Sequence, residues 1–194
     1  MSEAAIKGMA GAAIAADVLR LLDEGALSRD ALEARLEAAD LVILDAKVQV
    51  AQWYPLASFA RMLEVLMEAE GGGDPEYVVE RGRRAAERLQ ASGIYSQLSA
   101  NRETWGDRVG SIMATLGPDL YRDSEWRFEL LEGGSARPFR SEATVSADFP
   151  DLFRYSTQGF ISFLTDMVAD VPYRVTSERP SATQLVFRGE PLGD

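Results

Sequence analysis

The sequence predicts an α+β fold: a helical N-terminal half, then a four-stranded antiparallel sheet of two hairpins that flank a long helix. Three observations carry this. Apolar residues recur at three- and four-residue steps up to Leu116. From Trp126 the apolar period drops to two, the period of a strand. A broad helical stripe then separates this first alternating pair from a second one near the C-terminus.

Residues 3–24 read as a helix. Ile6, Ala10, Ala13, Ile14, Val18, Leu21 and Leu22 share one stripe, and Gly25 ends it. Its alanine-rich first half suits close packing, against the core or a second subunit. Ser28 caps a second helix carrying Ala31, Leu32 and Leu36. The run Leu41, Val42, Ile43, Leu44 fits helix or strand equally. Val48 and Val50 alternate with polar residues before Trp53.

The stretch 52–89 has the clearest punctuation. Pro55 suits the first turn of a helix. Leu56, Phe59, Leu63, Leu66 and Met67 form its stripe, and Gly71, Gly72 and Gly73 stop it. Asp74 and Pro75 then supply an N-cap and a first-turn proline. Tyr77, Val78, Ala85 and Leu89 follow as the next stripe. Gly82 inside this helix costs roughly 1 kcal/mol against Ala, which predicts a close backbone neighbour there. Gly93 reads as a left-handed cap.

Ile94, Tyr95 and Leu98 read as loop anchors, and Asn101 or Thr104 as the next cap. That helix turns Trp105, Val109, Ile112, Met113 and Leu116 inward, and Gly117 and Pro118 are expected to end it. Two strands follow, over 126–131 and 139–147, joined by an extended loop. Asp148 is expected to cap a helix over 148–169, with Pro150 in its first turn and Phe149, Phe153, Phe160, Phe163 and Leu164 on a broad buried face. Residues 173–177 and 184–188 form the second hairpin. The chain reads as one domain over 1–189, with helices in 1–50 as a subregion and a frayed tail over 190–194.

Composition narrows the chemistry. The 194 residues carry a net charge of −11, which opposes a general nucleic-acid binder. There is no Cys, which removes disulfides and thiolate sites, and no His, which removes the usual general base and zinc ligand. A Ser-His-Asp triad is therefore impossible. No run approaches the roughly 20 apolar residues of a membrane span, so a cytoplasmic location is expected. The triple glycine precedes Asp74 rather than Gly-Lys-Ser/Thr, so it is no nucleotide loop. Acid pairs such as Asp148 and Asp151, Glu68 and Glu70, or Asp119 and Asp123 arise by chance in so acidic a chain, and no catalytic residue and no metal site is expected.

Two candidate sites remain. Trp53, Tyr54, Phe59, Trp105, Met113, Phe160 and Phe163 are the candidate lining of an apolar ligand pocket, weighed against ordinary core packing. Arg81, Arg84 and Arg88 share a helix face and are the candidate docking site for an acidic partner, weighed against local pairing such as Glu80 with Arg84.

Trp53-Tyr54-Pro55, Gly72-Gly73-Asp74-Pro75, Glu80-Arg81-Gly82-Arg83 and the late strand–helix–strand pattern together resemble a bacterial family. It is related to the haem-nitric-oxide-binding and vinyl-reductase ligand-binding domains, a fold that TRAPP transport-complex subunits share. The resemblance covers residues 1–189 by element order, with its motifs in 52–83. It implies a helical half beside a four-stranded sheet, and a pocket for haem, a small aromatic or an acyl chain. The departures are specific. The axial His of a haem domain is absent, and so are the Cys or His of metal-binding members. Tyr173, Ser177 and Arg179 have the residue types of the Tyr-x-Ser-x-Arg propionate clamp at the wrong spacing. The expectation is a non-catalytic ligand-binding or adaptor domain without cofactor, signalling through a protein partner or as a homodimer. The alternative is a carrier or sensor of a small apolar ligand.

Overall fold

The computed structural model describes residues 3–93, 104–133, 136–169 and 171–192. In chain order the elements are β1 (Ala5–Lys7), α1 (Gly8–Asp23), α2 (Arg29–Glu33), α3 (Ala38–Asp45), β2 (Trp53–Pro55), α4 (Leu56–Gly71), α5 (Pro75–Ala91), α6 (Trp105–Leu120), β3 (Glu125–Leu130), β4 (Phe139–Thr144), α7 (Leu152–Val168), β5 (Tyr173–Ser181) and β6 (Gln184–Pro191). This is the expected α+β arrangement. The expected anchors Ile94, Tyr95 and Leu98, and the alternative cap Asn101, lie outside the described residues.

The main sheet has the order β3-β4-β6-β5, antiparallel throughout. Alternation sorts its two faces. Trp126, Phe139, Ala143, Leu185, Phe187 and Val175 are buried on one face, under α6 and α7. Trp105 at the start of α6 meets three rings of that face edge-on or tilted, those of Phe128, Phe139 and Tyr173. The other face carries Arg140 with Glu142 and Arg188 with Glu178 as exposed ion pairs.

Four expectations are corrected. The first residues are not helical. Ala5–Lys7 pairs antiparallel with Trp53–Pro55, because two isolated three-residue strands satisfy each other's backbone groups there, and the helix starts only at Gly8. Gly117 and Pro118 do not end α6, which runs to Leu120. Gly117 instead makes room for the Trp126 indole, since a Cβ there would lie 2.2 Å from the ring. Asp148 does not cap α7; its carboxylate accepts the Ala4 N–H at 3.0 Å, and the helix begins at Leu152. Glu190 and Pro191 belong to β6 rather than to a frayed tail.

Other local expectations hold. Asp74 caps α5 by accepting the Glu76 N–H, Thr104 caps α6 by accepting the Asp107 N–H, and Gly93 has φ +80. Gly82 meets the backbone of α7: a Cβ would lie 1.9 Å from the Ser156 carbonyl oxygen. Residues 41–44, whose apolar run suits helix and strand equally, are helical in α3.

Asp40 shows how the helical half is closed. Its side chain is fully buried, yet it accepts two bonds from Arg61, at 2.6 and 2.8 Å, and one from the Glu37 N–H. Burial alone would raise its pKa, but Arg61, Ser58 and the Glu37 N–H outweigh it and hold the carboxyl below its ordinary value. The pair ties α3 to α4.

Candidate functional site

A partly enclosed cavity of about 200 Å³ lies where α1, α5, α6 and α7 converge. Its walls are mostly apolar. Small side chains face one another across the chamber: Ala10 and Ala13 on α1 and Ala85 on α5. Large residues close it, with Ile6 from β1, Met113 and Leu116 from α6, Trp126 from β3, and Phe153 and Phe160 from α7. Two further depressions, of about 360 and 580 Å³, lie open at the surface and enclose little.

Polar groups interrupt this lining at two places. On one wall stand Tyr121 and Thr157. Thr157 is buried, and its hydroxyl has no hydrogen-bond partner of normal geometry. A buried hydroxyl left so costs about 1–3 kcal/mol. Burial pushes the Tyr121 phenol up to about 12, and the nearby Thr157 hydroxyl offsets part of that shift. At the opening stand Arg81 and Arg88 together with the exposed Met9. Among the described residues no Asp or Glu lines the cavity, although the chain carries 31 of them.

The candidate pocket residues separate. Met113 and Phe160 line the cavity. Trp53 does not: its ring lies under the Lys7 ammonium at 4.7 Å and the Arg122 guanidinium at 4.9 Å. The Tyr54 hydroxyl accepts the Gln49 N–H, and its ring meets Phe59 edge-on. Phe59 is fully buried against Gly11. Trp105 belongs to the sheet's aromatic cluster, and Phe163 packs on the core without reaching the chamber. Large aromatic side chains at these positions fill space instead of bounding it.

The arginine face also divides. Arg81 turns inward to Asp17 of α1 at 2.6 Å and to the Tyr77 hydroxyl at 3.2 Å. Arg84 is exposed and pairs loosely with Glu80 at 3.8 Å, the local pairing weighed from the sequence. Arg88 is exposed in the last turn of α5, and among the described residues its guanidinium has no ion-pair or hydrogen-bond partner. Arg83, not singled out as a site, binds Ser162 and Asp166 of α7.

The late segment is committed to structure. The Tyr173 hydroxyl donates to the Arg137 carbonyl, Ser177 is held between Arg154 and Gln158, and Arg179 donates to the Phe149 and Ala182 carbonyls. Among the described residues no group of acids could hold a metal ion, and no helix is long and apolar enough to cross a membrane.

Neither a protein-family model nor a curated protein matches the chain. Solved structures do. A structure from work on haem distortion in the H-NOX family superposes with a TM-score of 0.57 at 11% identity, covering 97% of this chain and 98% of that one. The fold is H-NOX-like. A Cs H-NOX carrying an unnatural amino acid gives 0.54 at 11%, over 95% of this chain and 98% of its own. A mutant H-NOX from T. Tengcongensis also gives 0.54 at 11%, over 94% and 99%. At such identity the likeness is one of fold, and the site has to be argued from its own residues.

Proposed function

We propose that this chain is a non-catalytic, sensor-type ligand-binding domain that works without haem and holds one small apolar molecule in the cavity among α1, α5, α6 and α7. The cavity carries the reading: apolar walls bounded by small residues, with the buried Thr157 hydroxyl, which lacks a hydrogen bond of normal geometry, beside the Tyr121 phenol on one side. Chambers with few, placed polar groups are the usual form of a ligand site. A dry apolar cavity of about 150 Å³ accepts benzene. The volume here, about 200 Å³, therefore suits one or two rings or a short chain.

Haem is the group that one H-NOX neighbour's description names, and the residues present do not fit it. Its usual axial ligands are His, Cys, Met or Tyr. The first two are absent from the chain, which leaves Met9, Met113 and Tyr121 as the lining residues of ligand type. The chamber is also smaller than the roughly 300–1,000 Å³ of sites for drug-sized ligands, and a porphyrin is larger than most of those.

Occupancy would be passed on through the walls. Arg81 and Asp17 join α5 to α1, and both helices bound the chamber. A ligand that favours one spacing of these helices shifts the population of their outer surfaces, which a protein partner or a second copy would read.

The test is native against denaturing mass spectrometry of the purified protein, together with a thermal-shift titration with indole. A mass lost on denaturation, or stabilisation by indole, is expected. Both should vanish in Ala13→Phe, which fills the chamber. If the protein carries nothing, and indole and other single-ring probes leave its melting unchanged, the reading is wrong.

A further inference from the structure

We infer that the ligand of this cavity is a small monoanion: a carboxylic acid whose apolar body enters the chamber and whose carboxylate is held at the opening by Arg88. This rests on the ligand-binding reading above and adds the charge of the ligand to it.

The chain is strongly acidic, at −11. Among the described residues its cavity nonetheless presents two arginines and no carboxylate. Arg81 is neutralised by Asp17 and further fixed by Tyr77. Arg88 is not neutralised by any described residue, so the opening carries one uncompensated positive charge. Complementing the carbonyl end of α5 explains a cation in the last turn. It does not explain why that cation borders an apolar chamber whose described lining holds no acid. A guanidinium is the side chain best shaped to take a carboxylate with two parallel bonds.

The chamber sets the rest of the molecule. Its volume and the small residues Ala10, Ala13 and Ala85 accommodate one or two rings or a short alkyl chain. Thr157 and Tyr121 offer hydroxyls to a polar atom on the body. Arg88 and Thr157 thus give an occupant a charged contact at the opening and a neutral one on the wall.

The experiment compares acids with neutral partners of the same shape: phenylacetate with 2-phenylethanol, and hexanoate with 1-hexanol. Binding is read by calorimetry on the full chain, in wild type, Arg88→Gln and Arg84→Gln. Arg84 is the charge control, being exposed on the same helix outside the chamber. Wild type is expected to prefer each acid over its alcohol by about fivefold, the size of a partly solvated ion pair. Arg88→Gln should erase that preference, read as the ratio of acid to alcohol affinity within the variant, while Arg84→Gln should keep it. The two acids tell ring from chain, and each acid–alcohol pair tests the charge by itself. If alcohols bind and the acids gain nothing, or the gain survives Arg88→Gln, the anion inference fails and the cavity reading stands. If neither acids nor alcohols bind, both fail.

Discussion

Gly82 and Gly159 are reciprocal: each lies against the main chain of the other's helix. A Cβ on Gly82 would sit 1.9 Å from the Ser156 carbonyl oxygen, and a Cβ on Gly159 would sit 1.8 Å from that of Val79. The obstacle in both cases is backbone, which cannot swing aside. Gly82→Ala gains roughly 1 kcal/mol of helix propensity but forces α5 and α7 apart. The expected net effect is a loss of about 2 kcal/mol in urea unfolding, with Gly159→Ala behaving alike. A neutral or stabilising Gly82→Ala would show that the helices are not packed this closely.

Removing Asp40 should cost about 2 kcal/mol, because partly exposed Arg61 loses its charge-assisted bonds to Asp40 but keeps Glu37 at 3.0 Å. The pH dependence has a definite sign. The folded pKa of Asp40 is depressed by Arg61, so its stabilising contribution is present above the unfolded value of about 3.9 and is lost as pH falls through the folded value. Unfolding midpoints measured between pH 7 and pH 3 should fall in acid for wild type, and less steeply for Asp40→Ala. Parallel curves would remove Asp40 from the acid response.

Thr157→Val keeps the shape of the side chain and deletes a buried hydroxyl that makes no hydrogen bond of normal geometry and has only the Tyr121 phenol nearby. Unfolding should become harder by about 1 kcal/mol. Binding of probes that carry a hydroxyl or N–H should weaken in the same variant. Stability and binding moving in opposite directions is the signature of a group kept for a ligand. If both fall together, Thr157 is an ordinary core residue.

The three tryptophans make an internal control. Trp126 borders the cavity, whereas Trp53 lies between Lys7 and Arg122, and Trp105 in the sheet's ring cluster. A Trp53→Phe, Trp105→Phe double variant should therefore retain the fluorescence change on ligand addition. Trp126→Phe should lose it. Loss of the signal in the double variant instead would move the site toward Trp53 or Trp105.

The fold is far more legible in the sequence than the site. Both hairpins, the stop at the triple glycine, the Asp74 cap and the close neighbour of Gly82 follow from period and punctuation, which are local properties. Other features depend on partners distant in sequence. Nothing within residues 3–7 signals a strand, since its partner lies some fifty residues on. Gly117 has the look of a stop because Trp126, which uses its bare face, is a tertiary neighbour. Large aromatics draw the eye as pocket residues, yet a void opens where side chains are small. The alanines of α1 are plain in the sequence and suggest close packing there. They mark the chamber. Tyr121 and Thr157 carry no sequence signal, because a lone hydroxyl on an apolar stripe becomes notable only once its surroundings are known.

The short ribbon of β1 and β2 has a consequence for how the molecule assembles. Ala4 donates to Asp148, Ala5 accepts from the Arg122 N–H, and Ile6 bridges to Tyr121 while its neighbours pair with Trp53 and Pro55. The bonds from Ala4 to Asp148 and from Arg122 to Ala5 thus each bridge well over a hundred residues of chain. Loop closure over such a span is slow. The helices of the first half can collapse on their own local contacts, but the seam that joins them to the sheet closes only once Arg122 and Asp148 are in place.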